Sequence, residues 1–128
     1  MNITQEFYEW LQSYADLSGY QVSRGAFVES EENAGQRFIV LQSMGGRTPG
    51  VIERYPAIRM LVMGSRYERQ VSNGIVELEN FASGLIGFAN DNFKTDCFTQ
   101  LRPASDIIGP GYTTEDRPWY ELNFEIIV

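Results

Sequence analysis

Seventeen carboxylates, ten cationic side chains and one thiol are the groups of this 128-residue sequence that could do chemistry, and it contains no histidine. Without histidine there is no Ser-His-Asp or Cys-His relay, no His-Cys zinc site and no ordinary general base titrating near neutrality. Asp91, Asp96, Asp106, Glu115 and Asp116 stand near turns. Two of them could work as a glycosidase pair only at a fixed separation in a cleft. Their spacing sets no such separation, so solvated or ion-paired roles are favoured. Cys97, beside Phe98, reads as a small buried hydrophobe. The acidic run Glu29-Ser30-Glu31-Glu32-Asn33-Ala34-Gly35 lacks the alternating ligand frame of a calcium loop. Gly45-Gly46-Arg47-Thr48-Pro49-Gly50 offers two glycines and a base, yet it lacks a Lys-Ser/Thr ending and no helix pattern follows at once. It reads as a turn. Tyr112 and Trp119 could stack on a base or a sugar, and such residues near loops also anchor protein interfaces. The expectation is a protein that is not an enzyme, with no catalytic residue, cofactor or metal.

The charge balance narrows the partners. A net charge of −7 and a pI near 4.5 argue against adhesion to a nucleic-acid backbone. The cations are nine Arg and a single Lys, Lys94. Arg forms bidentate, partly desolvated pairs and is enriched at interfaces, although genomic base composition produces the same bias. No apolar run approaches the roughly 18–20 residues that span a bilayer. Met1–Glu6 has neither a basic nor an apolar signal region. One cysteine fits a reducing compartment. These features predict a soluble protein, cytoplasmic where it is made, folded as one domain and burying roughly two thirds of its unfolded surface.

The elements that must position these groups follow from periodicity. Ile3, Phe7, Leu11 and Tyr14, with Trp10 and Leu17 beside them, predict an amphipathic helix over about Thr4–Leu17. Asn2 or Thr4 would cap it and Gly19 would stop it. Tyr20–Glu29 is strand-like but interrupted at Gly25, and Glu29–Gly35 is a connection. Arg37–Met44 reads as a buried strand, and Ala57–Met63 as another entered through Tyr55-Pro56. Tyr67, Val71, Ile75, Leu78, Ala82 and Leu85 step at helical spacing and predict a second helix over about Ser65–Ser83, weakened at Ser72-Asn73-Gly74 and ended by Gly84. Ala89–Asn92 reads as a loop, Asp96–Arg102 as a strand, and Ala104–Pro118 as an irregular segment. From Trp119 to Val128 every even position is apolar and most odd positions are polar, the period of a strand with one face on a core. The fold class expected is α+β: two helices packed on one face of a four- to five-stranded mixed, mostly antiparallel sheet.

An ordered set of segments carries a resemblance. After the N-terminal helix come Gly45-Gly46 with Pro49, then Tyr55-Pro56-Ala57-Ile58-Arg59-Met60-Leu61-Val62-Met63-Gly64 with Tyr67 beyond it. Ile108-Gly109 follows, and then Glu115-Asp116-Arg117-Pro118-Trp119-Tyr120-Glu121-Leu122-Asn123-Phe124-Glu125-Ile126. In this order the segments resemble the tail-terminator family of long-tailed bacteriophages. They cover about half of the chain directly. The Leu85–Thr95 link and the Ser72-Asn73-Gly74 interruption depart from the pattern.

The resemblance implies one tail-terminator-like domain over residues 1–128 and a structural virion protein of the tail or neck, assembled in the host cytoplasm. It implies a homo-oligomeric ring, usually of six subunits, that caps the tail tube, stops its polymerisation and meets head-completion or connector proteins. DNA would only pass through the lumen, where an acidic lining would repel phosphates. No membrane is involved. The candidate interface residues are Gly45, Gly46, Arg47, Pro49, Gly109, Tyr112, Asp116, Arg117 and Trp119. Loops Gly45–Gly50 and Glu29–Gly35 would together face the tube subunit. Asp116 and Arg117 would form ion pairs, either across subunits or pinning their own loop. Rival readings are a small-molecule-binding or regulatory α+β domain, another phage neck or head-completion protein, and a carboxylate-dependent hydrolase.

Overall fold

The computed structural model describes residues 2–14, 17–47, 55–95 and 98–127. Among these, two helices and six strands are formed: α1 (Ile3–Gln12), β1 (Tyr20–Arg24), β2 (Arg37–Arg47), β3 (Tyr55–Met63), α2 (Gly74–Asp91), β4 (Gln100–Pro103), β5 (Ile108–Tyr112) and β6 (Pro118–Ile127), with a 3-10 turn at Glu68–Gln70. The strands make one sheet in the order β1-β2-β3-β6-β4, and β5 also pairs with β6. Only β1 and β2 run parallel; the other pairings are antiparallel. The α+β class with a mixed, mostly antiparallel sheet is as expected. The strand count is six because Ile108–Tyr112, expected to be irregular, lies in ladder register on β6.

β6 is the strand that everything else meets. Its alternation is complete: Pro118, Tyr120, Leu122, Phe124 and Ile126 are buried, and the residues between them are half-exposed. Val128, expected to point inward, lies outside the described residues. One edge of β6 pairs with β3 along Trp119–Glu125, and the other is shared between β5 and β4. The buried face packs on Phe7, Trp10 and Leu11 of α1 and on Leu78, Ala82, Leu85 and Ala89 of α2. Phe124 sits 5.2 Å from the Phe7 ring and 6.1 Å from the Trp10 ring. Each such side chain contributes roughly 1.5–3 kcal/mol by leaving water.

Both helices are displaced from their expected bounds. The Asn2 side chain caps α1 by accepting from the Gln5 N–H at 3.1 Å. The helix closes at Gln12, not near Leu17, because the Ser13 hydroxyl takes the Trp10 carbonyl at 2.6 Å. Tyr14 then leaves the helical path and donates to the Phe81 carbonyl at 2.9 Å. The second helix begins at Gly74 rather than Ser65. Asn73 adopts φ 65°, and a side chain at Gly74 would meet the Glu68 carbonyl at 2.8 Å. Tyr67 and Val71 are accordingly exposed and belong to no buried stripe. The helix continues through Gly84 and Ala89 to Asp91, so Gly84 is not its end. A Cβ at Gly84 would collide with Tyr14 Oη. The Trp10 indole N–H donates to the Asn92 carbonyl at 2.9 Å, satisfying one of the polar groups left open beyond α2.

The remaining strand bounds also move. β1 ends at Arg24, where Gly25 takes φ 117°. The fourth strand is Gln100–Pro103 rather than Asp96–Arg102. Cys97 lies outside the described residues. Because β1 and β2 are parallel, residues 25–36 must return along the sheet, a crossover that usually contains a helix. Here it is an irregular segment. Phe27 within it lies on the sheet face away from the helices, where it covers Phe38 at 4.9 Å in a second apolar cluster with Val40 and Met63.

Gly84→Ala should lower stability by about 1–3 kcal/mol through overpacking against Tyr14. In a Tyr14→Phe background the same change should become neutral or stabilising, as helix propensity favours Ala over Gly by about 1 kcal/mol. Urea denaturation of the four proteins of this cycle checks both signs.

Candidate functional site

The candidate residues fall at two ends of the sheet. At the end where β2 begins and β3 finishes, a hairpin joins β5 to β6 through residues 113–117. The Thr113 carbonyl accepts from Asp116 N at 3.0 Å, and the Thr113 hydroxyl accepts from Arg117 N at 3.1 Å. Asp116 takes the left-handed conformation at φ 65°, which Asp tolerates better than most residues.

Arg117 is fully buried behind this turn. Nε donates to Glu29 Oε1 at 2.8 Å, Nη1 to the Gln36 and Gly64 carbonyls at 2.8 and 3.1 Å, and Nη2 to the Asn33 carbonyl and Oδ1 at 2.7 and 2.9 Å. These are all five donors of a guanidinium. Its plane also lies 5.1 Å from the Phe27 ring and 5.5 Å from the Phe38 ring. Of the two pairings expected for Arg117, the structure holds the one within its own chain. Its partners lie on the crossover and after β3, not on its own strand.

Two further Arg pairs brace the same end. Arg66 bonds Glu29 and Glu31, each at 3.1 Å. Arg37 meets the nearly buried Glu68 and the exposed Glu77, each at 2.8 Å. Glu68 also accepts from the Ser65 N–H. Burial pushes the Glu29 carboxyl up, but hydrogen bonds from Arg117 and Arg66 outweigh it and hold the group below its ordinary value. Glu68 is likewise pushed up by burial and held low by Arg37 and Ser65.

Outside this buried knot lies a half-exposed cluster. Arg69 stacks 3.9 Å above the Tyr112 ring and pairs through Nε with Asp116 at 3.3 Å. Gly109 and Trp119 support it from within the sheet. Gly109 has φ 134° and a cis bond to Pro110, and a Cβ there would meet the Trp119 carbonyl at 2.7 Å. The Trp119 indole lies flush on Gly111. Tyr112, Asp116, Arg117, Trp119 and Gly109 are thus brought together.

Gly45, Gly46 and Arg47 are not part of that group. They continue β2 as strand rather than forming a turn, with a register shift against β3 between Met44 and Arg47. Pro49 lies outside the described residues. Ten residue steps of β2 separate this end from the knot, roughly 30 Å. The described part of the first loop, Gly45–Arg47, and the Glu29–Gly35 loop lie at opposite ends of β2.

Arg37, Arg66, Glu68 and Arg69 are not among the candidates read from the sequence, and Glu29 and Asn33 are so only as members of the Glu29–Gly35 loop. The signal for them was the excess of Arg over Lys beside an acidic loop. A cavity of about 610 Å³ is lined by Glu6, Glu9, Trp10, Ser13, Asn92, Lys94 and Thr95, a mostly polar set unlike the apolar walls of small-molecule pockets. Among the described residues no cluster of three His, Cys, Asp or Glu could hold a metal, and no helix is long and apolar enough to cross a membrane.

Residues 1–128 match the family model described as "Phage tail termination protein". A comparison with curated proteins finds no match.

Arg117→Met should cost about 3–5 kcal/mol, since it leaves Arg66 as the one cation on Glu29 and unpairs one buried and two part-buried carbonyls. Arg117→Lys, with three donors, should fall between it and the parent, and urea midpoints order the three. Acid should weaken the fold as well. The folded carboxyls of Glu29 and Glu68 lie below the unfolded value of 4.5, so their contribution is complete above it and is lost as pH falls through the folded values. Glu29→Gln should flatten the loss of stability below pH 4.5, measured by thermal melts across pH.

Proposed function

We propose a structural role whose premise is that this chain belongs to the phage tail termination protein family. Its place is therefore the phage tail, and its work is tail termination. In our reading residues 1–128 act as one domain that assembles, in six copies, into a ring on the last ring of the tail tube. The ring stops tube polymerisation and offers its far side to head-completion or connector proteins. It is built in the host cytoplasm, carries no catalysis and needs no cofactor.

The observation that carries this reading is the family match over residues 1–128. The fold supports it by having unlike ends. A terminator must fit the tube on one side and deny, on the other, the surface that recruits the next tube ring. One end of this sheet carries the buried Arg117 knot with Tyr112, Arg69 and Asp116 outside it. The other end is the bulged Gly45–Arg47 margin of β2. We assign Gly45, Gly46, Arg47 and Pro49 to one neighbouring ring. Tyr112 and Asp116 are assigned to contacts at the opposite end, where Gly109, Arg117 and Trp119 hold them in place. A net charge of −7 per copy, multiplied around a ring, lets DNA pass without phosphate adhesion when acids line the lumen.

Removing the protein from an assembling phage should give tails longer than normal, and adding it purified should cap isolated tubes, both read by electron microscopy. Tails of unchanged length in its absence would overturn the reading.

A further inference from the structure

The turn between β3 and α2 leaves a cation and two apolar side chains unspent. Arg69 uses Nε on Asp116 and its face on Tyr112. Its two terminal nitrogens have no acceptor among the described residues, and half of the side chain is open to solvent. Beside it is a notch of about 180 Å³ lined by Glu68, Arg69, Val71, Asn73, Ile75 and Val76. Val71 and Val76 are 53% and 50% exposed. A guanidinium fixed by stacking and by Nε presents its fork in one direction, the geometry that takes a carboxylate.

The matching group is on this same chain. The crossover exposes Val28 at 76%, the highest value of any large hydrophobic described, and Glu32, four residues on, is exposed with no partner among the described residues. The loop is rigid. Arg117 and Arg66 hold Glu29, Asn33 Oδ1 accepts from Ser30 N at 3.2 Å, and Asn33 Nδ2 donates to the Val28 carbonyl at 3.0 Å. A valine and an acid on one loop thus answer a valine-lined notch that holds a base, and a loop already hydrogen-bonded loses less entropy on docking. Two copies that each carry −7 repel unless a cation of one meets an acid of the other.

We propose that the Arg69 notch of one copy receives the Val28–Glu32 loop of the next copy, with Glu32 on the Arg69 fork and Val28 against Val71 and Val76. This rests on the ring reading and specifies its subunit contact. The loop follows Phe27, which covers the sheet face away from the helices, and is tied by Arg66 to the β3–α2 turn, whereas the notch lies at the start of α2. One copy therefore gives the loop and takes one in its notch, a head-to-tail contact of the kind that closes rings.

The test mixes two full-length variants, Val28→Cys and Val71→Cys, on isolated tail tubes under mild oxidation. Each alone, retaining Cys97, serves as a control. A dimer cross-linked between positions 28 and 71, identified by peptide mass, should appear in the mixture and in neither control. Arg69→Glu carried by the Val71→Cys protein should reduce its yield about tenfold, and Glu32→Arg on the Val28→Cys protein should restore it. Tube caps that contain several copies, by native mass, without this cross-link would overturn the contact and leave the ring reading standing. Caps that contain a single copy would overturn both.

Discussion

A parallel pair of neighbouring strands needs a long return path, and in this protein that path has no helix to satisfy its own backbone. Arg117 supplies what a helix would have supplied. Its five N–H groups take up the Asn33 and Gln36 carbonyls of the crossover, the Gly64 carbonyl after β3, and the Glu29 and Asn33 side chains. Buried unpaired carbonyls and a buried unpaired guanidinium are each costly; placed against one another they remove both costs. The Phe27 and Phe38 rings flank the cation and exclude water from it. Three segments far apart in sequence are thereby fixed at one end of the sheet.

The sheet as a whole is two unlike faces joined by one strand. The helix face is a continuous apolar core built on Phe7, Trp10 and Phe124, with α2 closing over it. The other face holds the small cluster of Phe38, Val40 and Met63, with Phe27, Leu61 and Trp119 packed on it, and beyond it the ion pairs Arg59–Glu121 and Arg102–Glu125. β6 contributes to both faces because its alternation is unbroken. The same strand orients the β5 hairpin, so Arg69, Tyr112 and Asp116 are placed by the core even though they are half outside it.

The alternation of β6 and the apolar runs of β2 and β3 were legible because a two-residue period against a core admits little else. Class and layering followed from them. Helix ends were less legible. Tyr67 and Val71 continue the helical spacing of α2, yet the left-handed Asn73 and the contact of Gly74 with the Glu68 carbonyl start the helix later. β5 was hidden by Gly109, Pro110 and Gly111, residues that signal loops; they are tolerated here because Trp119 lies flat on Gly111 and Gly109 has a positive φ. The ion-pair partners of Arg117 could not be read at all. Glu29 lies 88 residues away, and no local period reports a contact over that separation. Asp116 and Arg117 stood out by their place in a family pattern, and the geometry gave them opposite environments, one half-exposed and one fully buried.

The position of β6 also sets an order of events during synthesis. Among the described strands it is made after the other five, and yet it lies inside the sheet, between β3 and the β4/β5 edge. Until it emerges, β3 has an open edge and its inward side chains Ile58, Met60 and Val62 lack the neighbours that bury them. Among the described residues β4 and β5 pair with β6 alone, so until then neither has a ladder partner. Arg117 immediately precedes β6, so the crossover is locked at almost the same moment. A nascent chain therefore carries an exposed strand edge from the completion of β3 to the emergence of β6, a period in which chaperones can bind and in which premature self-pairing is the main hazard. The finished surface at both ends of the sheet appears together, and late.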